Sequence, residues 1–530
     1  MITLKNIEYI HPNGNLLFSG ASLALLHRDK AALIGNNGSG KSTLLQIIAG
    51  RLPASSGSLS VAARPFYAPQ LAGQTTFTTI AAALQVERKF QALREILAGN
   101  TSADNFAALD DDWNLEERCM EALSEWGVYP TSISSRFENL SGGEKMKIIL
   151  AGIKIHNPAI ALLDEPTNHL DAAGRNLLYE RIEASRATMI IVSHDRALLE
   201  MLSPVCELGP KGIDIYGGNY TFFREQKEAK NNAFADELHD KEKALRKARA
   251  TEREVSERRQ RQSSRQKDTG MPTILVGRRK AAAENTTAKL KDAHAAKINA
   301  LTHEVGALRK DSPSCEVMKF GFSPPAINRG KTLICASGVW LRGPNGSSLP
   351  NAPADFSISA GERVRIVGAN GSGKTTFIRI LLGELEPGGG SVTRTGGIVY
   401  AYVDQNYSLV DAGRGIYAQA QLFNDSALPE HEVKTRLNRF LFSPGSWQQP
   451  CALLSGGEKM RLTLCCLTLR SSSPDLLILD EPANNLDIRS MDMFAAAVNE
   501  YEGALIIVSH DLCFVERVKG AREFSIGKQD

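Results

Sequence analysis

Two sets of residues in this chain have the types and spacing needed to handle a nucleoside triphosphate, and they occur in the same order. The first is Gly35, Asn36, Asn37, Gly38, Ser39, Gly40, Lys41, Ser42 and Thr43, then Leu140-Ser141-Gly142-Gly143-Glu144, then Leu163-Asp164-Glu165-Pro166, then Ser193-His194-Asp195. The second is Gly368, Ala369, Asn370, Gly371, Ser372, Gly373, Lys374, Thr375 and Thr376, then Leu454-Ser455-Gly456-Gly457-Glu458, then Leu479-Asp480-Glu481-Pro482, then Ser509-His510-Asp511. From aspartate to histidine both copies span 30 residues. In a glycine-rich loop of this form, backbone N–H groups close around phosphate oxygens and the following helix N-terminus favours negative charge. Lys41 and Lys374 are placed to reach the β- and γ-phosphates. Ser42 and Thr375 offer a hydroxyl to Mg²⁺, with Asp164 and Asp480 as the acidic partners. Glu165 and Glu481 come next as candidate general bases for an attacking water, and His194 and His510 complete each set. The competing reading has these acids only cap helices. It would have to arise twice at one spacing. The residues therefore imply two ATP sites with ATP and Mg²⁺ as cofactors.

Elements that place such residues are visible around them. Each glycine loop follows a short, largely apolar run, Ala31–Ile34 and Val364-Arg365-Ile366-Val367, and precedes a helical pattern starting at Thr43 or Thr376. The runs Ala159–Leu163 and Leu476–Leu479 read as strands covered on both faces. Each half is expected to be an α/β domain with a separate helical portion, over residues 1–223 and 331–530. Between them, 224–330 shows apolar residues at helical spacing (Phe234, Leu238, Leu245, Ala248, Val255; then Leu290, Ile298, Leu301, Val305, Leu308), interrupted by Asp268-Thr269-Gly270-Met271-Pro272. Glycine and proline break a helix, so an antiparallel α-helical hairpin is expected. Its far end gathers Arg258, Arg259, Arg261, Arg278, Arg279 and Lys280. The alternative is a solvated spacer.

The net charge of +3 over 530 residues conceals an asymmetry. From Arg224 to Lys310 there are 22 Lys and Arg against 13 Asp and Glu, a local +9, which leaves −6 for the rest. A basic hairpin between acidic domains points to a polyanion as partner. No run approaches the roughly 18 apolar residues of a membrane span, and the charged N-terminus is unlike a signal peptide. The 8 cysteines are scattered without metal-ligand spacing, which excludes a metal cluster and suits a reduced, cytoplasmic protein.

The two LSGGE pentapeptides, with their glycine loops and paired acids, resemble the ATP-binding cassette superfamily over nearly the whole chain outside the linker. That resemblance implies two P-loop NTPase domains sandwiched head to tail. Lys41 would share one ATP with Ser455, Gly456 and Gly457, and Lys374 the other with Ser141, Gly142 and Gly143. It further implies Gln70 and Gln405 near Mg²⁺, and Asp171 and Asp487 as the aspartates of the loop joining the cassettes. Tyr9 and Trp340 stand where the family carries an adenine-stacking aromatic; the alternative for each is an ordinary core or surface side chain. Twin cassettes, a long basic hairpin and Asp164-Glu165-Pro166-Thr167-Asn168-His169-Leu170-Asp171 are similar to the ABC-F branch. Such proteins are cytoplasmic ATPases that act on the ribosome, its rRNA and tRNA, as monomers with intramolecular cassette pairing. The second cassette departs from the branch at Ala483 and Asn485, which predicts an altered rate rather than a dead site. Gln70 to Ser141 spans 71 residues against 50 for Gln405 to Ser455, room for at most a short arm insertion. The chain ends at Asp530 without the basic coiled coil of Uup-like members, which lowers the expectation of a DNA-directed role. The rival is the ATPase subunit of an import transporter with two fused cassettes, which generally lacks a basic hairpin. A DNA-repair ATPase is excluded by the linker length and the absence of zinc-binding cysteines.

Overall fold

Largely apolar runs make the strands that carry the chemistry. The computed structural model describes residues 1–12, 14–71, 77–265, 295–308, 322, 324–341, 353–368, 371–404, 407–482, 486–509 and 511–526. They divide into two units, Met1–Tyr220 with Val317–Asp530, and Thr221–Glu316. In the first unit the strands are Ile2–Ile10 (β1), Leu16–Leu25 (β2), Lys30–Ile34 (β3), Ser56–Val61 (β4), Phe66–Ala68 (β5), Ile160–Asp164 (β6), Thr188–Val192 (β7), Val205–Gly209 (β8) and Gly212–Tyr216 (β9). The second cassette adds Thr332–Trp340 (β10), Ala354–Ser359 (β11), Arg363–Val367 (β12), Gly389–Arg394 (β13), Tyr400–Val403 (β14), Leu476–Asp480 (β15), Ala504–Val508 (β16) and Ala521–Ser525 (β17).

Each cassette combines an antiparallel three-stranded sheet with a larger, mostly parallel one. The larger sheets run β5-β6-β7-β3-β8-β9 and β14-β15-β16-β12-β17, so the order of the first five strands is the same in both copies. All five residues of β6, β7, β15 and β16 are buried, as expected of strands covered on both faces. Glycine loops and paired acids leave the carboxyl ends of parallel strands, where open α/β sheets form their ligand crevice. The helix Lys41–Ile48 buries Leu44, Leu45, Ile47 and Ile48 between the two sheets of its cassette. At about 1.5–3 kcal/mol per buried side chain, that face anchors the helix whose N-terminus meets phosphate.

A helical portion lies between glycine loop and acids in each cassette. The first has helices Ile80–Ala83, Glu87–Leu97, Ala103–Leu109 and Leu115–Glu125; the second has Ile416–Leu422 and Glu430–Arg439. The surplus of the first cassette is thus the pair Glu87–Leu97 and Ala103–Leu109, closed over a small core of Ala92, Leu93 and Leu109.

The unit Thr221–Glu316 takes its first helix from Tyr220–Arg265, 46 residues or about 70 Å at 1.5 Å per residue. A second helical stretch covers 295–308, and Lys241 pairs with Glu304 at 2.5 Å. The break at 268–272 and Arg278, Arg279 and Lys280 lie outside the described residues, as do the side chains of Arg258, Arg259 and Arg261. The division between units falls at Tyr220 and at Glu316, against the expected 223 and 330. At the second point the reason is local. The Phe322 ring meets Tyr501 with centroids 5.9 Å apart, and the Ile327 N–H donates to Asp475 at 2.9 Å, so this strap packs with the second cassette. Among the described residues, no helix is long and apolar enough to cross a membrane, and no cluster of His, Cys, Asp and Glu has the makings of a metal centre. The six described cysteines are free thiols.

Candidate functional site

The glycine loop between β3 and its helix turns through positive φ at Gly35, Gly38 and Gly40, and the second loop does so at Gly371 and Gly373. At Gly40 the requirement is also steric, because a Cβ would stand 2.7 Å from Leu17 and 2.8 Å from Phe18. Both loop lysines are buried and fold back onto the loop. Lys41 Nζ donates to the carbonyls of Gly35 (2.8 Å) and Asn36 (3.1 Å), and Lys374 Nζ to Gly368 (2.9 Å). Burial lowers the pKa of both lysines, opposed by the nearby carboxylates. Ser39 closes the first loop by donating its N–H to Asn36 at 3.1 Å. Ala369 and Asn370 lie outside the described residues.

The metal-binding candidates are hard oxygen donors. Asp164 is hydrogen-bonded to Ser42 and accepts from the Tyr67 hydroxyl at 3.3 Å; burial raises its pKa. In the second cassette Thr375 and Tyr402 both donate to Asp480, each at 2.9 Å. Oδ1 of Asp164 is buried with no hydrogen-bond partner, an arrangement that suits a cation beside it. A hydroxyl, a carboxylate and the Gln70 side chain match the all-oxygen preference of Mg²⁺. Gln405 lies outside the described residues.

The candidate bases share an unusual backbone. Glu165 and Glu481 both have φ +51°, and their N–H groups donate to Val192 (2.9 Å) and Val508 (2.8 Å) on the neighbouring strand. Non-glycine residues held in this region are rare and cluster at functional sites. Glu165 Oε1 and His194 Nε2 are 3.2 Å apart. Burial pushes the Glu165 carboxyl up to about 8, and burial with Lys41 pushes His194 down to about 3, so the two do not form an ion pair. His510 lies outside the described residues.

The two cassettes meet at the first site. A cavity of about 540 Å³ is lined by Asn37, Gly38, Gly40, Lys41, Ser42, Thr43, Gln70, Asp164, Glu165 and His194 of the first cassette and by Tyr407, Ser455, Gly456 and Lys459 of the second. The Asn37 N–H donates to Asp487 at 3.1 Å, and a Cβ at Gly457 would lie 3.6 Å from the Asn37 amide. Around Lys374 and Gly368 a smaller cavity of about 290 Å³ includes Asp171, Ala172 and Ala173 of the first cassette. Ser141 and Gly142 are exposed and are not in its described wall; Gly143 is buried in its own helix. Both signature serines cap their helices. Ser141 Oγ and Ser455 Oγ each donate to the glutamate three residues on at 2.7 Å.

Tyr9 does not line the first cavity; His11 and Leu17 do. The Tyr9 ring is engaged in packing, stacked on Phe18 at 6.4 Å and edge-on to His11 at 5.5 Å. Trp340 is 44% exposed at the end of β10, opposite Gly389, and is absent from the described wall of the second cavity. Sequence reasoning missed Tyr67 and Tyr402. Their signal was present, because each stands three residues before its glutamine, Gln70 or Gln405. Replacing both tyrosines by phenylalanine should weaken Mg²⁺ binding to the ATP-loaded protein about 10–100-fold, as removal of such outer hydrogen bonds typically does. Mn²⁺ electron paramagnetic resonance titration reads this directly, and an unchanged affinity would remove the tyrosines from the metal site.

Residues 18–168 and 352–484 each match the family model described as ABC transporter. The chain is 30% identical over 540 residues to "ATP-binding protein Uup" of Caulobacter vibrioides, covering 98% of this chain and 76% of that protein. It is 26% identical over 559 residues to "ABC transporter F family member 4" of Arabidopsis thaliana, covering 99% and 73%. To "Ribosome protection protein VmlR" of Bacillus subtilis it is 28% identical over 527 residues, covering 98% and 86%.

Proposed function

Because the chain belongs to the ATP-binding cassette superfamily and, within it, to the ABC-F branch, we propose that it binds two ATP molecules between its cassettes and uses their binding and hydrolysis to engage and leave the ribosome. The protein is an ATP hydrolase. The observation that carries the nucleotide part is the first cavity, where Lys41, Asp164 and Glu165 share one space with Ser455 and Gly456. In this reading Lys41 and the loop N–H groups bind the triphosphate, while Ser42, Asp164 and Gln70 hold Mg²⁺, which neutralises phosphate charge when bound. Glu165, in its ionised form, takes the proton of the attacking water, and His194, whose Nε2 lies 3.2 Å from Glu165 Oε1, orients that carboxylate. Ser455 and Gly456 sense the nucleotide from the other cassette. The second site repeats these roles with Lys374, Thr375, Asp480 and Glu481, with Asp171 of the first cassette in its wall. His11, which lines the first cavity where Tyr9 does not, is the aromatic residue available to the adenine.

The ribosomal part is supported by the name of a relative, "Ribosome protection protein", and by the +9 charge of the linker. A positive field suits the phosphate backbones of rRNA and tRNA and carries no sequence readout. Co-sedimentation with ribosomes in ATP, using a hydrolysis-blocked variant, tests the proposal; co-purification with a membrane permease instead would favour an import ATPase. Neutralising Arg258, Arg259, Arg261, Arg278, Arg279 and Lys280 should weaken that co-sedimentation. It should also flatten the salt dependence by about 0.7–0.9 in log–log slope for each phosphate that is no longer neutralised. Ribosome binding equal to wild type across salt would leave the hairpin as a spacer.

A further inference from the structure

We propose that Tyr407 is a positioning residue that ties the catalytic loop of the second ATP site to the filling of the first. Tyr407 lines the first cavity, together with Ser455 and Gly456 of its own cassette and Lys41 and Glu165 of the other. Its hydroxyl donates to the carbonyl of Pro482 at 2.7 Å. Pro482 follows Glu481, whose own N–H is held by Val508 at 2.8 Å. The turn carrying the second site's base is therefore fixed on both sides, by a strand and by a tyrosine that lines the first cavity.

Tyr407 is built to transmit position. It is 2% exposed, packed in the core of the second cassette's helical portion, and holds φ +54°. Its N–H donates to the Asp404 carbonyl at 3.0 Å and its carbonyl accepts from Val410 at 2.9 Å, so the backbone is tied where the residue lines the cavity. Burial keeps its hydroxyl protonated far above the ordinary tyrosine range, and it serves as a donor at any working pH. The first cassette carries no tyrosine at the matching position. Tyr407 comes two residues after Gln405, and the residue two after Gln70 is Ala72, which has no hydroxyl to offer. The link thus runs from the first site to turnover at the second. Such one-way coupling is allowed because kinetic parameters, unlike binding free energies, need not couple symmetrically.

The inference rests on Glu165 and Glu481 being the bases, and the test separates the two ideas. In Glu165→Gln only the second site turns over, and in Glu481→Gln only the first. Adding Tyr407→Phe, which keeps the ring and removes the hydroxyl, should slow the second site about 3- to 10-fold, the range one lost hydrogen bond gives in a rate. The KM for ATP should stay within about twofold, and the first site should slow less than the second. In a Lys41→Ala background, where the first site cannot hold ATP, adding Tyr407→Phe should cost the second site nothing more. Equal slowing of both sites, an unchanged second site, or the full effect persisting with Lys41→Ala would each overturn the link. Turnover surviving in Glu165→Gln with Glu481→Gln would instead overturn the assignment of the bases.

Discussion

Glu165→Gln combined with Glu481→Gln should yield a protein that still binds ATP and hydrolyses it about 10²–10⁴-fold more slowly, the usual cost of removing a general base. Glutamine keeps the volume and the polar reach of each side chain, so the φ +51° turns and their N–H bonds to Val192 and Val508 have no reason to change. What disappears is the carboxyl group that takes a proton from water. Steady-state phosphate release measures the loss, and equilibrium binding of a fluorescent ATP analogue shows that the sites still fill. Turnover near that of the unmodified protein would remove both residues from the chemistry.

Ser455→Arg should impair nucleotide held by Lys41, across the cassette boundary, while leaving nucleotide at Lys374 nearly intact. Ser455 is half-buried in the wall of the first cavity, and arginine there brings excess volume and a cation beside Lys41. Overpacking alone costs about 1–3 kcal/mol, and the like charge adds to it, so trapping should fall about 10–100-fold. The reciprocal change, Ser141→Arg, should act on the site at Lys374. Photo-crosslinking of labelled ATP in proteins with one glycine loop disabled assigns each loss to a site. A loss confined to the cassette that carries the substitution would mean that the halves work separately.

Much of this arrangement is legible in residue types. Both acid pairs and the strands β6 and β15 are announced by apolar runs ending in Asp-Glu, because a strand covered on both faces admits nothing polar until it leaves the sheet, and both glycine loops by their own spacing of glycines and lysine. The tyrosines on Asp164 and Asp480 were equally legible, since the same offset repeats. Tyr9 shows where such reading stops. The ladder between β1 and β2 shifts register between Leu4 and Ile7, between Ile7 and Tyr9, and again before Ile10. Each shift resets the alternation of faces, so parity no longer tells which of residues 9 to 11 looks into the cavity. Tyr407 illustrates a different limit. Its partners are Pro482 and a cavity wall drawn from both ends of the chain, and no local period joins residues so far apart.

The caps of the two signature helices carry a consequence of their own. The Ser455 hydroxyl owns one proton, and that proton is given to Glu458 at 2.7 Å, while the Ser455 N–H is given to the same carboxylate at 2.9 Å. Ser141 and Glu144 repeat the arrangement with the same two distances. A carboxylate therefore already sits at each helix N-terminus as an internal stand-in for an anion. An arriving phosphate does not enter a vacant berth; it must win the serine proton from an incumbent. Affinity for the triphosphate is then a difference between two anions competing for one donor, and a weaker rival leaves the incumbent in place.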